Sequence, residues 1–349
     1  METDRNKSNA IADTISKTTA TSVKSSSLTV TWEKLPAWQQ DNHYIRTGYR
    51  PASASFLKSF ASLGYLHNES VNIYSHLLGA FFFTVLGSLI YYFMIILHFH
   101  SSHYSYYPDL IMKAKKTFFS VSTAYGSSDA IDTAATLATF TSSPEEVRVF
   151  SCFFAGAISC LAISGTYHAI SNHSPTVARW GNKMDYVGII CLIVGSFIPS
   201  IFYGFYCHPV LQRLYWNMIF TLGLACTAVT IFDRFRTPVW RPYRATMFIA
   251  MGLSALFPVI HGLKIYGFHT MRSRIGLVGL VFEGIFYIMG ASLYAARWPE
   301  RSKPGFFDVW GSSHQIFHIL VLVAAGFHFY SLLTAYKYHH HVIGATCVS

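Results

Sequence analysis

Seven runs of apolar residues alternate with mostly short polar stretches along this chain, near 75–98, 148–170, 185–206, 214–232, 245–267, 275–296 and 315–336. Crossing the hydrocarbon core of a bilayer takes about 20 apolar residues as helix. Lipid offers a backbone amide no water partner, so helix is the conformation each run must take. The pattern predicts an all-α integral membrane protein, a seven-transmembrane helix bundle over residues 74–336. Around it lie a disordered tail at 1–30 and a juxtamembrane segment at 31–73 with a short surface helix. A long mobile loop at 99–147, rich in Ser, Thr and Ala, and a polar tail at 337–349 complete the reading. No apolar stretch in the first 30 residues reads as a cleavable signal, so the first span is expected to direct insertion.

Composition agrees with the pattern. Of 349 residues, 52% are hydrophobic and 12% charged, about half the charge of an ordinary soluble domain. That shortage excludes seven core helices of a soluble protein. The net charge of +10 comes from residues scattered between apolar runs, with no stripe or cluster, and no nucleic-acid-binding motif is visible. These cations read as loop anchors facing lipid phosphates. The six cysteines, Cys152, Cys160, Cys191, Cys207, Cys226 and Cys347, show no C-x-x-C spacing and read as free packing thiols.

With seven spans, the start of every odd span and the end of every even span share the N-terminal side. His168 closes span two, Asp185 opens span three, and His314 and His318 open span seven. Glu69, Asn72 and His76 lead into span one, so all seven polar residues fall at a similar depth on one face. The short loops of that face carry Arg179, Lys183, Arg234, Arg236, Arg241, Arg244, Arg297, Arg301 and Lys303. The positive-inside rule then gives a cytoplasmic N-terminus and an extracytoplasmic C-terminus. The glycosylation acceptors Asn6, Asn68 and Asn172 all lie on the same side, away from the outer loops.

His314 and His318 are four apart on a helix and project from one face. With His168 they make a three-imidazole set at one depth. Such a set suits Zn2+, with a fourth position left for water in a catalytic site. Asp185 is an ionisable residue in a span, costly and functional by default. Beside a metal it could orient or deprotonate bound water; pairing with a loop arginine or capping span three is the plainer reading. Ser164, four residues before His168, shares its helical face. Glu283 within span six reads as a buried relay or a protonated, hydrogen-bonded carboxyl, His261 as lining the bundle, and His339–His341 as an exposed polar end on the opposite side. Asp233-Arg234-Phe235 follows span four in the wrong orientation for a G-protein-coupled receptor signature, and the interior of span seven holds no lysine for retinal.

These residues resemble the progestin and adipoQ receptor family, which includes adiponectin receptors, fungal zinc-homeostasis membrane proteins and bacterial haemolysin-III-like proteins. The likeness runs over 35–98 and 148–336 and is nearest the fungal branch. It rests on LPAWQQDNHYIRTGYRP with HNESVNIYSHLLG, on SGTYH, on KMDYVGI and on YIMGASLYAARWPERSKPGFFDVWGSSHQIFHILV. The resemblance implies zinc on His168, His314 and His318, with Asp185 contacting its water. It also implies a link to sphingolipid metabolism through ceramide hydrolysis. The pattern of Ser164, Asp185 and three histidines is similar to that of alkaline ceramidases. Expected partners are membrane lipids (ceramide or a related lipid and the free fatty acid), with an extracellular ligand and a homo-oligomer also admitted. A plasma or endomembrane location fits. The alternative expectation is a receptor or zinc-homeostasis regulator in which the metal only braces the spans.

Overall fold

The computed structural model describes residues 28–92, 94, 143–343 and 347. Most of the expected loop at 99–147 and of the N-terminal tail therefore lies outside the described residues. Among the described residues seven helical stretches are long and apolar enough to cross a membrane, and the protein is a seven-transmembrane bundle. Helix α1 (Phe56–Ala61) precedes α2 (Ser70–Tyr91), α3 (Pro144–Ile170), α4 (Pro175–Gly204) and α5 (Pro209–Ile231). The fifth span is broken into α6 (Arg241–Leu253) and α7 (Leu256–Arg274), followed by α8 (Leu277–Ala296) and α9 (Ser313–Tyr338). Among the described residues the only bridge of β type pairs Val30 with Tyr49.

The helices begin earlier than hydropathy suggests, because capping chemistry sets a helix end and apolarity does not. Helix α3 starts at Pro144, where the Ser143 hydroxyl accepts from the Glu146 amide and Glu146 accepts back from Ser143. This reciprocal box with proline at the first turn is a strong start signal, so residues 144–147 belong to a helix rather than to the loop. Helix α4 likewise starts at Pro175 behind the Ser174 cap. Asp185 thus sits in the third turn of α4, not at its opening.

Close packing sets the depth of these helices against each other. A Cβ at Gly156 would stand 2.6 Å from the Cys191 carbonyl oxygen, and one at Gly195 would stand 2.6 Å from that of Cys152. A Cβ at Gly188 would stand 3.1 Å from the Cys160 Cα in the same seam. Small residues let α3 and α4 approach backbone to backbone, the usual device where lipid removes any hydrophobic drive between helices. Helix α8 meets α9 in the same way at Gly276, whose left-handed φ of +61° and 2.5 Å clearance from the Ser331 Cα leave no room for a side chain.

The juxtamembrane segment does more than lie on a surface. Helix α1 does expose Phe56, Leu57 and Phe60, but the flanking chain folds over one mouth of the bundle. Asp308 accepts from the Arg46 and Thr47 amides at 2.9 and 2.8 Å, and the Asn68 amide donates to the Gly48 carbonyl at 2.8 Å.

The opposite mouth departs from expectation twice. Cys207, just past α4, is disulfide-bonded to Cys347 across a Cα–Cα distance of 5.4 Å. The reading of all six cysteines as free thiols therefore holds only for Cys152, Cys160, Cys191 and Cys226. A separation of 140 residues carries no spacing signal. The run His339–His341 is not simply an exposed end. His339 is buried, its ring 4.2 Å from that of Tyr206, and His340 Nε2 lies 2.9 Å from a buried Glu146 oxygen. Only His341 of the three is exposed.

Candidate metal centre

Helix α9 begins where Glu300, fully buried, accepts hydrogen bonds from the Ser313 amide at 2.8 Å and its hydroxyl at 2.5 Å. Gln315 donates to the Val309 and Asn68 carbonyls and accepts from the Gly311 amide. These bonds anchor the first turn, and the helical step then carries His314 and His318 onto one face. The other helix of the site is α3, whose last turn presents His168.

The three rings meet. Their centroids lie 4.9 Å apart for His168 and His314, 4.9 Å for His168 and His318, and 4.7 Å for His314 and His318. One ring nitrogen from each falls within 4.8 Å of the others, the only such cluster of His, Cys, Asp or Glu among the described residues. His168 Nδ1 lies 2.8 Å from Glu69 Oε2, and His318 Nδ1 lies 3.2 Å from the Asn72 carbonyl oxygen. Both rings are thereby held at one nitrogen with the other left over. His168 Nε2 is buried with no hydrogen-bond partner. A carboxylate or carbonyl on the far nitrogen is the usual support of a metal-bound imidazole. The donor set, its spacing and the orphaned Nε2 all fit one small transition-metal cation.

Supports converge on His168 from the juxtamembrane segment. Glu69 also accepts from Asn72 Nδ2 at 2.7 Å. Burial works against charge on Glu69, yet the His168 ring beside it holds the carboxyl well below its ordinary range. Arg50, itself buried, donates to the carbonyls of His168 at 2.5 Å and Ala169 at 2.7 Å, closing the end of α3. His67 Nδ1 accepts from the Glu69 amide at 3.1 Å, and burial together with Arg50 pushes that imidazole down to about 4. His76 stacks on His318 with centroids 3.6 Å apart, and neither of its nitrogens has a partner.

Ser164 and Asp185 are both buried, and the serine side chain interacts with the aspartate carboxyl. Asp185 is also within electrostatic reach of His168. The structure thus brings His168, His314 and His318 together, while Ser164 on α3 and Asp185 on α4 stand outside the three-nitrogen cluster. Glu283 and His261 stand apart: Glu283 Oε2 lies 2.8 Å from His328 Nδ1, and His261 Nδ1 lies 2.8 Å from the Tyr215 hydroxyl. What the sequence reading missed is the support. The sequence pattern marks Glu69 by its depth and does not single out Arg50; only folding shows that both grip His168.

The family model for haemolysin-III-related proteins matches residues 64–329. The "ADIPOR-like receptor IZH2" of Saccharomyces cerevisiae is 38% identical over 310 residues, covering 88% of this chain and 84% of that protein. The "Adiponectin receptor protein" of Drosophila melanogaster is 38% identical over 301 residues, 86% of this chain but 58% of its own length. "Heptahelical transmembrane protein 4" of Arabidopsis thaliana is 32% identical over 353 aligned positions, covering 88% of each. All three are therefore similar to this chain over most of its length.

Proposed function

This chain belongs to the haemolysin-III-related family of adiponectin-receptor-like membrane proteins, and on that premise we propose that it hydrolyses a ceramide-type lipid amide at a zinc ion held by His168, His314 and His318. The observation that carries this reading is the convergence of three ring nitrogens within 4.8 Å, those of His168 and His318 on buried residues and that of His314 on a half-buried one, with two of the rings held from behind by an oxygen. Three imidazoles suit zinc well among the available metals. Zinc held there supplies a Lewis acid and brings the pKa of a bound water toward about 7.

The chain's own residues do the remaining work. Asp185 is the general base, taking a proton from the attacking water and passing it to the leaving amine. Ser164 orients that carboxyl and offers its hydroxyl to the amide carbonyl. Glu69 and Asn72 keep the ligating rings in one tautomer, so the nitrogens facing the ion need no reorientation during turnover. The products are a free fatty acid and a sphingoid base. A groove of about 380 Å³ between α6 and α8, lined by Pro242, Ala245, Ile249, Ala291, Ser292 and Ala295, offers a lipid a lateral approach. It lies beside Tyr294, whose ring meets His314 at 5.1 Å.

The centre faces the cytoplasm in this proposal. The basic loops share its side, and the Cys207–Cys347 disulfide lies at the other mouth, as expected for the side exposed to an oxidising compartment. A second reading, that of a receptor or zinc-homeostasis regulator with a bracing ion, draws on the clamping of His168 by the juxtamembrane segment and on the receptor names of the relatives.

The test measures zinc content and fatty-acid release from ceramide together, on wild-type protein and on a His314→Ala/His318→Ala variant in mild detergent. Near-stoichiometric zinc and cleavage in the wild type, both lost in the variant, are expected. Asp185→Asn separates the readings, since it abolishes hydrolysis while a bracing ion stays bound. Well-folded wild-type protein without zinc would overturn both.

A further inference from the structure

A groove of about 500 Å³ flanks the start of α2 and shares no residue with the histidine triad. Its walls come from three stretches: the turn at Leu63 and Gly64 with Leu66 after it, the opening turns of α2, and Trp310 in the connection before α9. Hydrogen bonds within the protein fix these walls. The Tyr74 hydroxyl donates to the Leu63 carbonyl at 2.7 Å and holds the turn against α2. Gln315 accepts from the Gly311 amide at 2.6 Å and donates to the Val309 carbonyl at 2.9 Å, so both neighbours of Trp310 are tied to α9. The groove is thus formed in advance, as sites for small molecules usually are.

The lining decides what chemistry can fill it. No charged residue lines the groove, so an ionic group finds no counter-charge there. Its hydroxyls are engaged inside the protein. Ser70 Oγ accepts from the His67 amide at 3.0 Å, and Ser75 Oγ donates to the Asn72 carbonyl at 3.2 Å. What remains open is apolar surface, with Leu66, Tyr74, Leu78 and Trp310 all exposed. The space between the walls is free of protein at Gly64, where an added Cβ would meet no atom within 4 Å. Hydrocarbon suits such a lining.

Position shows where the hydrocarbon comes from. From Ser70 to Leu78 the groove follows α2 for about 12 Å. The exposed apolar stripe of α2 then runs on through Phe81, Phe82, Val85 and Leu89. Groove and lipid-facing surface are therefore continuous. At the other end, Tyr74 and Trp310 mark the headgroup level, where such rings collect, and α1 just before the turn exposes Phe56, Leu57 and Phe60.

We propose that this groove is a specific seat for one acyl chain of a diacyl phospholipid, entered sideways from the bilayer, with the headgroup left outside at the level of α1. The chain packs on Val71, Leu78 and the Trp310 ring, and the ester and phosphate groups stay in the hydrated interface. A free fatty acid or a sterol drawn into the groove would bring a carboxylate or hydroxyl to a lining that has no free partner for it, which is costly. The seat differs from ordinary lipid contact in being concave. Three walls touch the chain where an open helix face touches it on one side, and each added contact contributes dispersion energy. The site is independent of the zinc chemistry proposed above.

The experiment is photocrosslinking of the full-length protein in nanodiscs of phosphatidylcholine containing a trace of the same lipid with a diazirine on one acyl chain. Mass spectrometry locates the labelled residues. In the wild type, labelling over residues 63–78 is expected to exceed that at Phe282 and Ile285, exposed on the open face of α8, on the order of ten-fold, the worth of roughly ten extra van der Waals contacts. Gly64→Phe puts a ring into the free space and brings groove labelling down to the level of α8, with α8 itself unchanged. Trp310→Ala, which takes away an exposed wall, acts in the same direction. Sterol added to the nanodiscs leaves the groove labelled. Groove labelling no stronger than that of α8, labelling untouched by both variants, or labelling displaced by the sterol would each overturn the proposal.

Discussion

The bundle contains the same pair twice. Glu69 grips His168 Nδ1 at 2.8 Å near one mouth, and Glu283 grips His328 Nδ1 at 2.8 Å in the membrane interior. Each pair leaves a buried Nε2 without a partner. They differ in company. Around His168 stand two more imidazoles, and Arg50 and Asn72 brace the pair. Around His328 stand phenylalanines and one tyrosine hydroxyl. A carboxylate-held histidine is thus not in itself a metal site. It becomes a candidate when the helical step and the packing of α3 against its neighbours bring further ring nitrogens within reach of one ion.

The strongest way to break this contrast is to delete one ring from each pair. His318→Ala is expected to lower bound zinc from about one ion per chain to below roughly a tenth, since one ligand of three is gone. His328→Ala should leave zinc content unchanged. Metal analysis of the two purified variants reads both, and equal loss from both would mean that the pairs are not distinct. A gentler version replaces the carboxylates. Glu69→Gln should weaken zinc about ten- to a hundred-fold, the usual effect of losing the support behind a ligating histidine, and Glu283→Gln should not move it. Competition with a chelator of known affinity measures each.

Much of the first region was legible in the sequence, and little of the second. Spans could be counted from apolar runs because lipid forces each run into helix, and parity then placed His168, His314 and His318 at one depth. Parity says nothing of rotation about a helix axis, however, so it could not show that Glu69 points at His168 or that Ser164 faces Asp185. Glu283 was visible as a costly residue, but its partner is 45 positions away on the next helix, a pairing set by how α8 packs on α9. The helices start before the apolar boundaries at 148 and 185 because hydropathy follows the lipid, while the Ser143 and Ser174 caps set where each helix begins. The Cys207–Cys347 link was invisible for want of any local pattern.

Acid sharpens the comparison by loosening only one region. His67, which accepts from the Glu69 amide, is held down to about 4 by burial and Arg50, against 6.5 in the open chain. Between those values the unfolded chain binds more protons than the folded one, so the stabilisation is complete above 6.5 and is lost as pH falls toward 4. The loss is on the order of 3 kcal/mol. Thermal melts from pH 7 to 4 should show this slope in the wild type and a shallower one in His67→Asn. His328→Phe should leave the slope unaltered. If it flattens the slope instead, acid acts on the interior pair.

The smallest effect tests why the interior pair exists. In a soluble core, breaking a buried ion pair by removing one partner costs about 3–5 kcal/mol. Hydrogen bonds between membrane helices are worth far less, about 0.6 kcal/mol on average, because the unfolded chain in lipid finds other partners. A double-mutant cycle on Glu283→Gln and His328→Phe, read by unfolding in mixed micelles, is therefore expected to give a coupling of about 1 kcal/mol or less. Such a value makes stability a poor reason to keep a carboxyl and an imidazole at this depth, since an apolar contact between α8 and α9 would serve as well. A coupling of several kcal/mol would argue the reverse, making Glu283 and His328 a structural tie between α8 and α9.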